Sequence, residues 1–273
     1  MRKLTLIAAV LATWTPAVLA VPNFTDDFEA GVGGTHNWYN WNRGGTNPDP
    51  WPPPNPSGIN NLLTTSDSHN HTPGGKYSAQ AWASDPAAWN AYSDFGAYSG
   101  AIKAWVYVFE DYNNKGTNPS QPVTNMFSLY GDAANPGEFT DYIQLGVVPF
   151  YPSGSERYGF RTLYNDSTGG GIIDTGVSRK AGWTKLGIEV DALADGGQIR
   201  FYIDDVLVGT SFRAGANNGA GGLSPVDLRW VRLGNNSKSY ETFWYDDVNV
   251  VPEPAVAALM LIGLGLVARK RRG

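Results

Sequence analysis

Between Ala101 and Val250 the sequence is a succession of short apolar runs, each closed by Gly, Asn or Pro. Apart from the two chain ends, no window of helical length repeats its apolar residues every 3.6 positions. Ala101–Phe109, Val123–Tyr130, Tyr142–Val148, Tyr158–Tyr164, Trp183–Val190, Ile199–Ile203, Val226–Leu233 and Phe243–Val250 are rich in β-branched and aromatic residues, as pleated strands favour. In Ile199-Arg200-Phe201-Tyr202-Ile203 the two kinds of side chain alternate, so one face is buried. Asp204-Asp205 then turns the chain into Val206-Leu207-Val208, a β-hairpin. Many short strands with turns between them predict an all-β antiparallel sandwich, here in one domain over residues 21–251. Residues 31–75, with six prolines between Pro48 and Pro56, read as a long loop region.

The two ends follow other rules. Arg2-Lys3, an apolar run from Leu4 to Trp14, Pro16 and the small-residue pattern Val18-Leu19-Ala20 make residues 1–20 a secretory signal peptide cleaved after Ala20. At the other end, Val251-Pro252-Glu253-Pro254 precedes an uncharged stretch, Ala255 to Ala268, and then Arg269-Lys270-Arg271-Arg272-Gly273. That stretch is short for a spanning helix, which takes about 20 residues, and the basic cluster marks its cytoplasmic side. Removing both ends takes six of the 20 cations but only one of the 25 acids, leaving a domain near −10. Such a charge excludes nucleic acid as the partner. The chain has no cysteine, so an exported domain of roughly 230 residues rests on its core or on a metal rather than on disulfides.

Residues 252–273 resemble the PEP-CTERM sorting signal, with Pro252, Glu253 and Pro254 as its motif followed by an apolar helix and a basic end. The resemblance implies a transient inner-membrane intermediate in a Gram-negative-type cell. An exosortase-type enzyme would cut near the motif and deliver the protein to the outer surface or the extracellular polysaccharide matrix. Ala181–Val190, with the hairpin Ile199–Gly209, the opening Asp26-Asp27-Phe28-Glu29 and the closing Trp244-Tyr245-Asp246-Asp247-Val248, looks like a laminin-G/concanavalin-like jelly roll. Members of that group often carry structural calcium where the first and last strands meet. Both end strands here bring acidic pairs, and the candidate ligands are Asp27, Glu29 and Asp246. The alternative is that these are solvated edge carboxylates that discourage sheet pairing.

Glycosidases need two carboxylates about the scissile bond. Glu189-Val190-Asp191 is similar to the start of the Glu-x-Asp-x-x-Glu strand of laminarinase-like hydrolases, but Ala194 stands where the last Glu belongs, and Leu193 stands there in the shorter spacing. With no Gly-x-Ser-x-Gly elbow and no cysteine nucleophile, no catalytic residue is assigned. His69-Asn70-His71 would point two rings the same way from a strand, a possible start to a metal site, but their surroundings read as polar loop. Trp38, Tyr39, Trp41 and Trp51 cluster in the loop region. They are either flat platforms for sugar or rings that pin the loop to the sandwich. Trp105, Trp183, Trp230 and Trp244 lie in strands and are expected in the core. The resulting expectation is an exported, non-catalytic glycan-binding protein of the outer surface or exopolysaccharide matrix; the alternatives are a polysaccharide hydrolase or lyase on the same fold, and a structural matrix protein that binds another protein.

Overall fold

The computed structural model describes residues 23–40, 63–81, 90–111, 126–131, 142–147, 157–163, 172–192, 197–212, 227–234 and 242–253. These residues form fifteen strands. The first eight are β1 (Phe24–Asp26), β2 (Tyr39–Asn40), β3 (Leu63–Ser66), β4 (Ser78–Ala81), β5 (Asn90–Tyr98), β6 (Ile102–Glu110), β7 (Phe127–Gly131) and β8 (Tyr142–Val147). The rest are β9 (Arg157–Leu163), β10 (Ile173–Ser178), β11 (Gly182–Val190), β12 (Gln198–Ile203), β13 (Val206–Phe212), β14 (Leu228–Gly234) and β15 (Phe243–Pro252). Every pairing between them is antiparallel.

Sheet A runs β13-β12-β11-β6-β15-β4-β3, with β1 also paired to β15, and sheet B runs β10-β9-β8-β7-β14-β5-β2. Strands adjacent in sequence repeatedly cross between sheets, as β4 to β5, β6 to β7 and β14 to β15 do. The result is the jelly-roll-like sandwich expected from the strand pattern. β6 shows how it is built. Ile102, Ala104, Val106 and Val108 are buried between the sheets, while Lys103, Trp105, Tyr107 and Phe109 alternate to the outer face. Sheet B contributes Phe127, Leu129, Ile143, Leu145, Val231 and Leu233 to the same core. Phe160 of sheet B stacks on Phe201 of sheet A with centroids 4.3 Å apart. Gly209 on β13 permits that approach, since a Cβ there would lie 2.1 Å from Phe160 Cε1.

One ionic group lies inside the core. Glu110 accepts hydrogen bonds from Arg179 Nε (2.6 Å) and Tyr158 Oη (2.5 Å), and Tyr158 also reaches Thr184. Burial, then the neighbouring Glu110 charge, pushes the Tyr158 hydroxyl far above its ordinary range. Removing either ionic partner would leave a buried charge uncompensated, a change that costs about 3–5 kcal/mol.

Three expectations are corrected. The region 31–75 is not a continuous loop, because β2 and β3 lie within it. β4, β5 and β10 lie outside the apolar runs that marked the other strands. The four strand tryptophans are not part of the intersheet core: Trp230 and Trp244 are buried and Trp105 and Trp183 half-buried, all on outer faces. Residues 1–22, the apolar tail from 254, Trp41 and Trp51 lie outside the described residues, and so do Ala20 and Pro254.

Candidate functional site

The outer face of sheet A is an aromatic surface partly covered by the loop that joins β3 to β4. His69 stacks on Phe109 (3.8 Å) and meets Trp244 edge-on, while His71 stacks on Tyr107 (3.6 Å) and meets Trp183 edge-on. Their spacing does point both rings the same way, onto carbon rather than onto a metal. Two carboxylates fasten this strap. Asp246 accepts the backbone N–H groups of His71 (2.7 Å), Thr72 (3.3 Å) and Asp247 (2.9 Å). Asp247 takes His71 Nδ1 (2.6 Å) and the Thr72 hydroxyl (2.7 Å). From the other end, Glu29 accepts Asn70 Nδ2 (2.6 Å) and the backbone N–H groups of Lys76 (2.8 Å) and Tyr77 (3.0 Å).

These contacts show how the three candidate calcium ligands are engaged within the protein itself. Asp27 receives the Glu29 N–H (3.1 Å) in a turn, while Glu29 and Asp246 face N–H donors whose positive ends would repel a cation. Among the described residues no three His, Cys, Asp or Glu side chains group to hold a metal. The set does not fit calcium, which needs six to eight oxygens aimed at one point. Burial pushes the Asp246 carboxyl up to about 6, against the pull of its backbone donors. Asp26, also raised chiefly by burial, accepts Trp38 Nε1 (2.8 Å) and the Phe28 N–H (3.0 Å). Phe28 sits in the left-handed region (φ 55°), yet Phe24, Asp26 and Phe28 are all buried, every second residue.

Trp38 is 2% exposed and packs against Phe24 and Phe28. It is a pin for the chain, not an open sugar platform. The backbone of Tyr39 lies on β2 opposite Tyr92. The acidic strand is likewise engaged: Glu189 accepts Lys103 Nζ and Tyr202 Oη (both 2.6 Å), and Asp191 forms a two-point pair with Arg200.

The outer face of sheet B differs. Registers align one row across five strands: Tyr92 on β5, Arg232 on β14, Ser128 on β7, Gln144 on β8 and Arg161 on β9. A second row sets Asp94, Trp230 and Tyr130 side by side. Arg232 and Gln144, each 1% exposed, are buried on the face turned away from the core, as are Tyr92, Ser128, Tyr130 and Trp230. The Arg232 guanidinium lies 5.3 Å from the Tyr130 ring, and Tyr92 meets Trp230 edge-on at 5.5 Å. Arg229 chelates Asp94 (2.8–3.1 Å). Arg161 donates to Gln144 Oε1, and the buried Gln144 Nε2 has no hydrogen-bond partner among the described residues. Burying an amide donor without a partner costs about 1–3 kcal/mol, so this donor calls for an ordered water or a ligand group to meet it.

Sequence reasoning missed this row. The signal was present in Leu228-Arg229-Trp230-Val231-Arg232-Leu233 and Tyr142-Ile143-Gln144-Leu145, where a polar residue interrupts an apolar run at strand period.

The sandwich is similar in outline to several solved structures. Cellulose induced protein Cip1 is 13% identical, with a TM-score of 0.48 over 84% of this chain and 96% of that one. The T. cruzi calreticulin globular domain is 10% identical (TM-score 0.48; 87% and 91% covered), as is alginate lyase vAL-1 from Chlorella virus (0.47; 70% and 90%). No curated protein matches the sequence. The profile of the PEP-CTERM protein-sorting motif matches residues 250–272, and the chain therefore carries that sorting signal at the end of its all-β sandwich.

Proposed function

We propose that the chain is an exported, non-catalytic glycan-binding protein of the outer surface or polysaccharide matrix, and that the row on sheet B is its sugar site. The observation that carries this reading is the buried Gln144 amide, without a hydrogen-bond partner among the described residues, between Arg161 and Ser128 and in line with Arg232 and Tyr92. Sugar hydroxyls satisfy such donors, and the buried rings of Tyr130 and Trp230 lie in the adjoining row. Arg232 and Arg161 bring guanidinium donors into this row, the groups that pair two-point with carboxylates, so an acidic, uronate-bearing polymer suits it best. The sorting signal supports export, processing by an exosortase-type enzyme and passage through a membrane-held stage.

Calorimetric titration with acidic and neutral oligosaccharides tests the reading. Binding of the acidic set should fall at least tenfold in Gln144→Leu and Arg232→Met. Equal binding by both variants and the wild type would remove the site from sheet B. The tyrosines beside Arg232 favour one second reading, a polysaccharide lyase, in which a tyrosine in its phenolate form takes the C5 proton next to a uronate carboxylate that Arg232 neutralises, the C4–O bond breaks to leave a C4–C5 double bond, and the departing sugar oxygen takes up a proton. Release of unsaturated sugar ends from a uronate polymer would establish it. Hydrolysis by a carboxylate pair lacks support on this face, because Asp94 is held by Arg229.

A further inference from the structure

We propose that the folded sandwich holds the first half of its own sorting motif, so that processing waits for the end of β15 to open. β15 pairs along its length with β6, and the pairing does not stop at the domain boundary that composition suggests. Val250 lies opposite Ala104, Val251 opposite Lys103 and Pro252 opposite Ile102. Pro252 has no N–H to give, yet the ladder resumes one residue later, where Glu253 N donates to Ala101 O at 2.9 Å. On its other side β15 pairs with β1, Phe24 opposite Val250.

The Glu253 side chain is half-buried, beside the ion pairs that Lys103 makes with Glu189 and Arg200 with Asp191. Its carboxyl is raised, first by burial and then by the charge of Glu189, with Arg200 and Lys103 opposing. Pro252 is thus the last residue of β15, and Glu253 is tied to Ala101 just beyond it. Only Pro254 separates them from the uncharged stretch that begins at Ala255.

Enzymes that cut chains read extended backbone, and they do so with the same N–H and C=O groups that a sheet uses. At Glu253 the N–H is already committed to Ala101. An enzyme at the membrane surface therefore meets a free motif only when Val250–Glu253 has frayed from β6. Fraying of a strand end is a local opening, and its population falls as the surrounding domain becomes better packed. Cutting then depends on the fold next to the motif as well as on the motif itself. This inference rests on the sorting-signal match and is independent of what sheet B binds.

The test uses the full chain in a host that has the cognate processing enzyme, with the cut fraction followed over time by mass. A six-residue Gly/Ser insertion between Val251 and Pro252 moves the motif out of the sheet and should speed cutting several-fold. In the converse variant, Lys103→Cys with Val251→Cys joins two register partners, and the native chain has no cysteine to compete. Oxidised, it should resist cutting; reduced, it should be cut at the wild-type rate. Thermal melts of both variants check that the sandwich is intact. Equal rates for the insertion variant and the wild type, or equal cutting of the oxidised and reduced pair, overturn the proposal. Residues 250–273 fused to an unrelated domain report separately whether the motif is a substrate.

Discussion

The two outer faces of the sandwich solve the same problem in opposite ways. Each sheet buries one face in the core and must do something with aromatic and charged groups on the other. On sheet A the chain supplies its own cover: the strap lays His69 and His71 on Phe109 and Tyr107, and Asp246, Asp247 and Glu29 take up its donors. On sheet B Arg161 donates to Gln144, whose own amide donor has no partner among the described residues. A face whose hydrogen bonds close on themselves contributes stability, whereas a face that keeps a donor open is ready for a ligand at some expense in stability.

The comparison breaks most visibly at Asp246. Asp246→Ala removes the acceptor for three backbone N–H groups and should destabilise the fold by about 3 kcal/mol, lowering Tm by roughly 6–12 °C. A Tm change under a few degrees would show that the strap does not depend on it. Gln144→Leu on the opposite face should behave inversely. It should keep Tm within about 3 °C and lose about 1.4 kcal/mol or more of binding, which is tenfold in affinity. A large melt shift with unchanged binding would make sheet B the structural face.

A smaller effect follows from pH. The folded protein holds the Asp246 proton up to about 6, well above the ordinary carboxylate value, so the folded state binds more protons than the unfolded chain between about 4 and 6. Its contribution is fully present below pH 4 and is lost as pH rises through 6, on the order of 1 kcal/mol. Urea unfolding of the wild type and Asp246→Asn at pH 4 and pH 7 should show that slope in the wild type alone. The smallest effect is that of chelator. Because the end-strand carboxylates are engaged by N–H donors, EDTA should move Tm by less than about 1 °C. A shift of several degrees that Asp246→Ala abolishes would restore calcium to the end strands.

The sequence reveals the architecture more readily than the site, for a physical reason. β6, β11, β12 and β15 bury β-branched and aromatic residues every second position, and periodicity exposes them. β4 is Ser-Ala-Gln-Ala and β5 is Asn-Ala-Tyr-Ser-Asp-Phe-Gly-Ala-Tyr, with no β-branched residue, so tertiary pairing with β15 and β14 alone makes them strands. The meeting of first and last strands follows from the jelly-roll resemblance, and β1 does pair with β15, but the use of their acids was not legible. Alternation predicts which way a carboxylate points only while the strand lasts, and β1 ends at Asp26 and β15 shifts register after Asp246. The sheet B row escapes for a related reason: its members lie far apart in sequence and meet only through register.

The embedding of β15 between β6 on one side and β4 and β1 on the other has a mechanical consequence. In the membrane-held stage proposed above, any drag on the domain is transmitted through Glu253 along the axis of that strand. The ladder bonds lie across that axis, so a lengthwise pull loads them in shear and they must yield together. The attachment point is then among the parts of the sandwich best placed to bear load, whereas a tail leaving from the free edge strand β13 would let the sheet open one bond at a time.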